Sequence, residues 1–324
     1  MRRLTCSIEI GGLEALTFVS EVSIESSWQT LTDTCTIRLP RKALVSKARS
    51  LPDAIKVGNP VKVRYGYDGD LRTEFAGYVV GVKTGPPAEI QCQDEMYLLK
   101  RKPLTHAWAS VSLQTVLEYI RQHSGLSFEI QTLGETDLGK FTINQATGAQ
   151  VLDSLRKDYG IRCWFRGGVL IAGDPYQAKG KATVHLLTFR QNVVSDDLLY
   201  TRAEDIRLKV RAFSHVPGKR KGSRHLLKAE SGDQLDGELR TLHFVGVQQK
   251  DLQARADAEI ARLRFDGYRG TVTSFGVPAV EHGDVVEIRD PDYPERAGQF
   301  SVDKVSKSFG TRGSRRVITL GPKA

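Results

Sequence analysis

A short pattern occurs twice in this chain, far apart, and it limits the available folds more than any other feature. Gly58-x-x-Val61-x-Val63 is followed by Gly77-Tyr78-Val79-Val80-Gly81-Val82, and Gly283-x-x-Val286-x-Ile288 is followed by Gly298-Gln299-Phe300-Ser301-Val302. The second glycine comes 19 residues after the first in one copy and 15 in the other. In each, a glycine precedes alternating apolar residues, a turn intervenes, and another glycine opens a second strand, as in a hairpin with one buried face. Two readings stay open at this level: an internal duplication that builds two related small barrels, or chance recurrence of a pattern common in all-β proteins.

The flanking sequence supports β structure over residues 1 to about 100. Cys35, Ile37 and Leu39 alternate with Thr36 and Arg38, and Val61, Val63 and Tyr65 alternate with Lys62, Arg64 and Gly66. Asp68-Gly69-Asp70 is a turn signal, and Gly85-Pro86-Pro87 separates the strand around Val79–Val82 from the one at Ile90–Cys92. The middle then changes period. Leu113, Val116, Leu117 and Ile120 recur at helical spacing behind Ser112 as N-cap, with Gly125 placed to end the helix. A second helix opens at Thr147 with Gln150 three residues on, a capping box, and carries Val151, Leu152 and Leu155 up to Gly160. Strands at Ile161–Phe165 and Val169–Ala172 flank the turn Arg166-Gly167-Gly168. From about 176 strand patterns return, a third helix presents Leu252, Ala256, Ile260 and Leu263 on one face, and strands resume from Val272 to Leu320.

The expected fold is therefore mainly β with an α+β insert, two similar small antiparallel β-barrels flanking a helix-containing domain. The boundaries expected are 1–105 for the first barrel, 106–175 for the α+β domain, and 176–210 with 271–324 for the second barrel. Residues 211–270 are an insertion with a basic loop and one helix.

Composition excludes several classes. With 324 residues, 40% hydrophobic and 26% charged, the chain has enough apolar material for more than one core and is neither disordered nor fibrous. No apolar run approaches the ~20 residues that a spanning helix needs, and the amino end, where Glu9 intervenes early, lacks a signal region. Synthesis without export is the expectation. Cys6, Cys35, Cys92 and Cys163 form no CxxC pair and are expected to be reduced and buried. The 47 Lys and Arg against 38 Asp and Glu leave a net charge of +9, mostly scattered. One dense run, Lys219, Arg220, Lys221 and Arg224, reads as a solvated loop or as a contact for an acidic partner.

Catalytic motifs are lacking. Gly134-x-x-x-x-Gly139-Lys140 resembles a phosphate loop, but Phe141 stands where Ser or Thr must hold magnesium and the following residues read as a strand. The seven histidines include no i,i+4 pair, no serine lies in a G-x-S-x-G elbow, and Asp290-Pro291-Asp292-Tyr293-Pro294-Glu295 reads as a turn. No catalytic, metal or cofactor residue is assigned, and no enzyme is expected.

Ordered along the chain, Asp33-Thr34-Cys35-Thr36-Ile37-Arg38-Leu39-Pro40, Gly58-x-x-Val61-x-Val63, Phe75-Ala76-Gly77-Tyr78-Val79 and Ile90-x-Cys92-x-Asp94 resemble the first barrel of phage tail baseplate hub proteins. Leu152-x-x-Leu155-x-x-x-Tyr159-Gly160-Ile161-x-Cys163-Trp164-Phe165 is similar to their middle domain. Gly276-Val277-Pro278, His282-Gly283-Asp284-Val285-Val286-Glu287-Ile288, Gly298-Gln299-Phe300-Ser301-Val302 and Leu320-Gly321 resemble their last barrel. The family includes late control proteins and the hub part of type VI secretion spikes, and the likeness spans nearly the whole chain.

The resemblance implies a virion structural protein, a homotrimer whose two barrels per chain make a ring of six and join a sixfold tail tube to a threefold spike. A trimer matches a hexamer subunit for subunit only if each chain offers two equivalent surfaces. Gly58, Gly77, Gly283 and Gly298 are then the turn and barrel glycines. The implied partners are the tail tube protein, the tape-measure protein and a central spike, expected to be a separate protein because the chain stops at Pro322-Lys323-Ala324. DNA would pass through without specific binding, and the resemblance makes Lys219, Arg220, Lys221 and Arg224 candidate channel contacts. The implied location is the virion tail, with the host cytoplasm during assembly. Two other functions stay open on sequence: a β-barrel nucleic-acid-binding protein, which the basic pI of about 9.3 permits, and a tail-associated cell-wall hydrolase.

Overall fold

A computed structural model describes residues 3–13, 15–40, 51–177, 182–217, 224–233 and 237–324. The chain is mainly β and forms two compact units, Met1–Tyr97 with Thr183–Asp197 and Thr271–Leu320, and Leu98–Ala182 with Leu198–Gly270 and Gly321–Ala324.

One sheet of twelve strands has most of its residues in the first unit, while residues 198–201, 267–270 and 321–323 at its strand ends belong to the second. Numbered in chain order they are β1 (Leu4–Ile10), β2 (Glu21–Ser27), β3 (Thr34–Leu39), β4 (Pro60–Tyr67), β5 (Asp70–Lys83), β6 (Ala88–Gln93), β7 (Val184–Thr188), β8 (Val193–Thr201), β9 (Gly267–Phe275), β10 (Val285–Arg289), β11 (Gly298–Gly310) and β12 (Gly313–Lys323). The first six lie in the order β1-β4-β5-β6-β3-β2 and the last six in the order β7-β10-β11-β12-β9-β8. Adding six to each label of the first order gives the second. The glycine–valine recurrence is thus part of a repeated six-stranded module.

The modules differ at one edge. β1 runs antiparallel to β4, with Ile8 opposite Val63, whereas β7 runs parallel to β10, with Val184 opposite Val285. A parallel neighbour needs a long crossover, and the residues between Thr188 and Val285 supply it. Hydrogen bonding also continues from β2 to β11, with Val22 opposite Phe309 and Ile24 opposite Lys307, so the two modules share one sheet.

Alternation explains the first core. Cys6, Ile8 and Ile10 of β1 and Val61, Val63 and Tyr65 of β4 point inward at every second position, where they meet Val22, Ile24, Cys35, Ile37, Val79, Ile90 and Cys92. Asp68 and Gly69 both take positive φ, +54° and +88°, the backbone that a two-residue turn needs to match strand twist.

Among the described residues the second unit carries three long helices, α1 (Leu113–Ser124), α2 (Gly148–Tyr159) and α3 (Gln249–Leu263). Ser112 caps α1 through Thr115 N–H, and α2 has the full capping box, Thr147 accepting from Gln150 N–H while Gln150 accepts from Thr147 N–H. Gly125 and Gly160 end them in the left-handed region at φ +76° and +68°. Leu252, Ala256 and Leu263 of α3 pack on Leu208, Val210, Ala212 and Ala229 of the sheet formed by Leu208–Pro217, Arg224–Gly232 and Glu238–Val245. The strands Arg162–Arg166 and Val169–Gly173 pair about the positive-φ glycines Gly167 and Gly168. Gly139 and Lys140 lie within the strand Asp137–Thr147, in keeping with the rejection of a phosphate loop.

Candidate functional site

The two glycine hairpins superpose in their hydrogen bonding. Gly58 has φ +89° and Gly283 has φ +82°. Gly58 N–H donates to Val79 O and Val79 N–H donates to Asn59 O, at 2.8 and 2.9 Å; Gly283 N–H donates to Val302 O and Val302 N–H donates to Asp284 O, at the same 2.8 and 2.9 Å. Val61 faces Gly77 across the first hairpin and Val286 faces Phe300 across the second, while Val63 faces Phe75 and Ile288 faces Gly298. Gly77 therefore corresponds to Phe300, and Gly298 to Phe75. At these two paired positions each hairpin has one glycine and one buried phenylalanine, in exchanged order.

Where the modules join, the packing is apolar at one level and ionic at another. Tyr65 of β4 stacks on Phe309 of β11, ring centroids 4.8 Å apart. Next to them lies a group of four charges, three of them buried and the fourth, Glu281, partly exposed. Arg316 of β12 contacts Glu74 of β5 at 2.5 Å, and Lys307 of β11 contacts Glu281 at 2.5 Å and Glu74 at 3.2 Å. Arg316 also donates to the carbonyls of Gly276 and Val280 at 3.1 Å. The side chains of Glu74, Lys307 and Arg316 are 4%, 3% and 1% exposed, and the four charges sum to zero. Burial opposes the charge on Arg316, but Glu74 and Glu281 together outweigh it, so its pKa lies above the ordinary value. Burial, then the Glu74 charge, pushes the Tyr65 phenol well up.

At the start of β3, Asp33 accepts from Ser27 N–H at 3.1 Å and from the Ser26 hydroxyl, and its own N–H donates to Asp94 at 3.0 Å. Burial raises Asp33 to about 6. Asp94, held by Met96 N–H at 3.1 Å, is pushed well up by burial and then by the Asp33 charge. Sequence reasoning missed both groups. The signal for the first was present: Lys307 stands between the core positions Val305 and Phe309, and Arg316 between Ser314 and Ile318, where alternation calls for apolar residues.

An apolar cleft of about 670 Å3 is lined by Val184, Leu186, Phe275, Val277 and Pro278, with His185 and Tyr67 at its side. His185 Nε2 lies 3.0 Å from Asp284, and Asp284 also accepts Glu281 N–H, so this pair is braced into the turn before β10. Among the described residues, no three His, Cys, Asp or Glu side chains form a metal cluster, and no helix is long and apolar enough to cross a membrane. All four cysteines are free thiols and buried. Lys219, Arg220 and Lys221 lie outside the described residues. Arg224 opens the strand Arg224–Gly232, and its side chain also lies outside the description.

No protein-family model and no curated protein matches the chain. Solved structures do. The 43 kDa tail protein of prophage MuSo2 from Shewanella oneidensis aligns with a TM-score of 0.66 and 16% identity, over 98% of both chains. A tail protein from Neisseria meningitidis aligns at 0.65 and 16%, over 98% of this chain and 96% of that one. An Escherichia coli component of the type VI secretion system, described as structurally similar to tail proteins of bacteriophage T4, aligns at 0.63 and 14%, over 98% of this chain and 77% of that one. The chain has the fold of these tail and hub-like proteins.

Proposed function

We propose that this chain is a structural subunit of a phage tail or a phage-derived injection machine, the ring-forming hub of its baseplate. The observation that carries this reading is the repeated six-stranded module within a fold shared with prophage tail proteins. Three chains with two like modules each present six like surfaces, which lets one ring meet a sixfold tube on one side and a threefold spike on the other. The tube protein and the central spike are its partners, the virion tail is its final location, and assembly takes place in the host cytoplasm. Genome and tape-measure protein pass through the ring, so the lumen must not hold phosphate tightly.

The role is mechanical, and no turnover is expected. The test is the mass of the purified protein, alone and with the spike, combined with negative-stain imaging. A particle of three chains with a central opening supports the reading. A strict monomer at every concentration, with the spike present, overturns it. A second arm separates it from hydrolase activity: a murein suspension should keep its turbidity when the protein is added.

A further inference from the structure

We propose that the open edge of β8 in one copy of this chain pairs with the open edge of β5, from Val80 to Lys83, in a second copy. The proposal deepens the ring-forming reading above and rests on it, because it names the surface through which successive copies join.

The join inside the chain sets the pattern. The last strand of the first module, β2, pairs with Lys304–Gly310 of β11 in the second module. By the label shift of six, β8 is the counterpart of β2 and β5 the counterpart of β11. The repeat of the β2–β11 join is thus β8 against β5, and the β5 of the same chain is already in the first module. Only another copy can supply it.

Both edges are open among the described residues. β8 pairs with β9 alone. β5 pairs with β4 from Asp70 to Tyr78 and with β6 from Tyr78 to Lys83, and Val79 is bonded to the Gly58–Asn59 turn. Beyond Val79 none of the described strands lies beside β5 on the side away from β6. Unpaired strand edges are templates for pairing with another chain.

The counterpart residues match in fine structure. β5 has a register shift between Val79 and Gly81, after which Val82 packs on the core. β11 has Val302 and Val305 both fully buried, with the same two-residue spacing between them. Val82 then corresponds to Val305, and Lys83 to Ser306, which lies opposite Glu25 of β2. β8 meanwhile exposes Val194, Leu199 and Tyr200 at 43%, 72% and 49%, an apolar load unusual for a solvated edge strand.

The join is head-to-tail, so it propagates until rotation closes it into a ring. It differs from the internal join in one respect. Lys307, which anchors the buried charges, has Thr84 as its counterpart, so the contact between copies lacks that ionic clasp and is expected to be reversible and concentration-dependent.

Sedimentation of the full-length protein tests this. Wild type should assemble, whereas Leu199→Asp on β8 and Lys83→Pro on β5 should each weaken assembly at least roughly tenfold, since a buried charge or a proline blocks an edge. Leu199 is exposed, so that variant should keep the wild-type melting profile even if Lys83→Pro folds poorly. A one-to-one mixture of the two variants retains one productive edge pair and should stop at dimers. Wild-type assembly by Leu199→Asp overturns the edge pairing while leaving the ring reading in place. Dimers formed by Lys83→Pro alone would indicate a β8–β8 contact and also overturn it. A wild type that stays monomeric with the spike present removes the ring reading itself.

Discussion

Glu74 on β5 and Arg316 on β12, 242 residues apart in sequence, meet at 2.5 Å as a buried ion pair. Breaking such a pair strands a charge, and the penalty then exceeds what the intact pair contributes. Arg316→Met should cost about 3–5 kcal/mol in denaturant unfolding. Replacing both partners, Glu74→Leu with Arg316→Met, should cost less than Arg316→Met alone, because Lys307 keeps Glu281. A cost for Arg316→Met under about 1 kcal/mol, the range of a surface pair, would mean that the group is hydrated and does not clasp the modules.

Gly58 and Gly283 give a prediction about backbone alone. An added Cβ at either position meets nothing within 4 Å, so the cost of Gly58→Ala or Gly283→Ala is the left-handed backbone itself, about 1–2 kcal/mol. The two losses should be equal within error and smaller with Asn, which tolerates this region. Unequal losses in thermal unfolding would count against the equivalence of the hairpins.

Much of the fold was legible because it rests on local rules. The Ser112 and Thr147 caps, the Asp68-Gly69 turn and the inward alternation of Val61 and Val63 depend on neighbours within a few residues. What was not legible depends on pairing across the sheet. In sequence Gly77 aligns with Gly298, since each opens a run of alternating residues, but cross-strand pairing offsets them by two positions, a shift that keeps the same face inward and so leaves no trace in the apolar pattern. The pairs that Glu74 makes with Lys307 and Arg316 join strands from opposite ends of the chain, and no window of sequence contains them.

That offset has a measurable consequence. At Gly77 a Cβ would lie 2.1 Å from the Gln93 carbonyl oxygen, backbone that cannot move aside, whereas at Gly298 it would lie 3.3 Å from the edge of the Phe300 ring. Gly77→Ala should prevent soluble folding, and Gly298→Ala should change stability by less than about 1 kcal/mol, as a site without backbone strain or backbone clash does. Similar effects of the two substitutions on soluble yield would contradict the pairing register.

Burial governs the thiols. Cys92 and Cys163 are pushed up to about 12 by desolvation, Cys35 is raised well above its ordinary value, and Cys6 is raised as well. The thiolate is the reactive form, so the native protein at pH 8 should resist iodoacetamide, with all four cysteines alkylated only after unfolding. Rapid labelling of any one in the native state would place it at an accessible surface.

Asp33 sets a pH dependence whose sign follows from its burial. Its ordinary value is 3.8 and its folded value about 6, so between these values the folded chain holds a proton that the unfolded chain releases. The stability this contributes is complete below about pH 4 and is lost as pH rises through about 6. Asp94, raised in the same direction, reinforces the trend. Asp33→Asn removes the titrating group while keeping an acceptor for Ser27 N–H, so the variant should gain on wild type as pH is raised from 4 to 6.5. The measurement is the difference in unfolding free energy at each pH, which cancels the other carboxylates. A difference that stays constant over that range would mean that Asp33 titrates as it does in water and that the start of β3 is open to solvent.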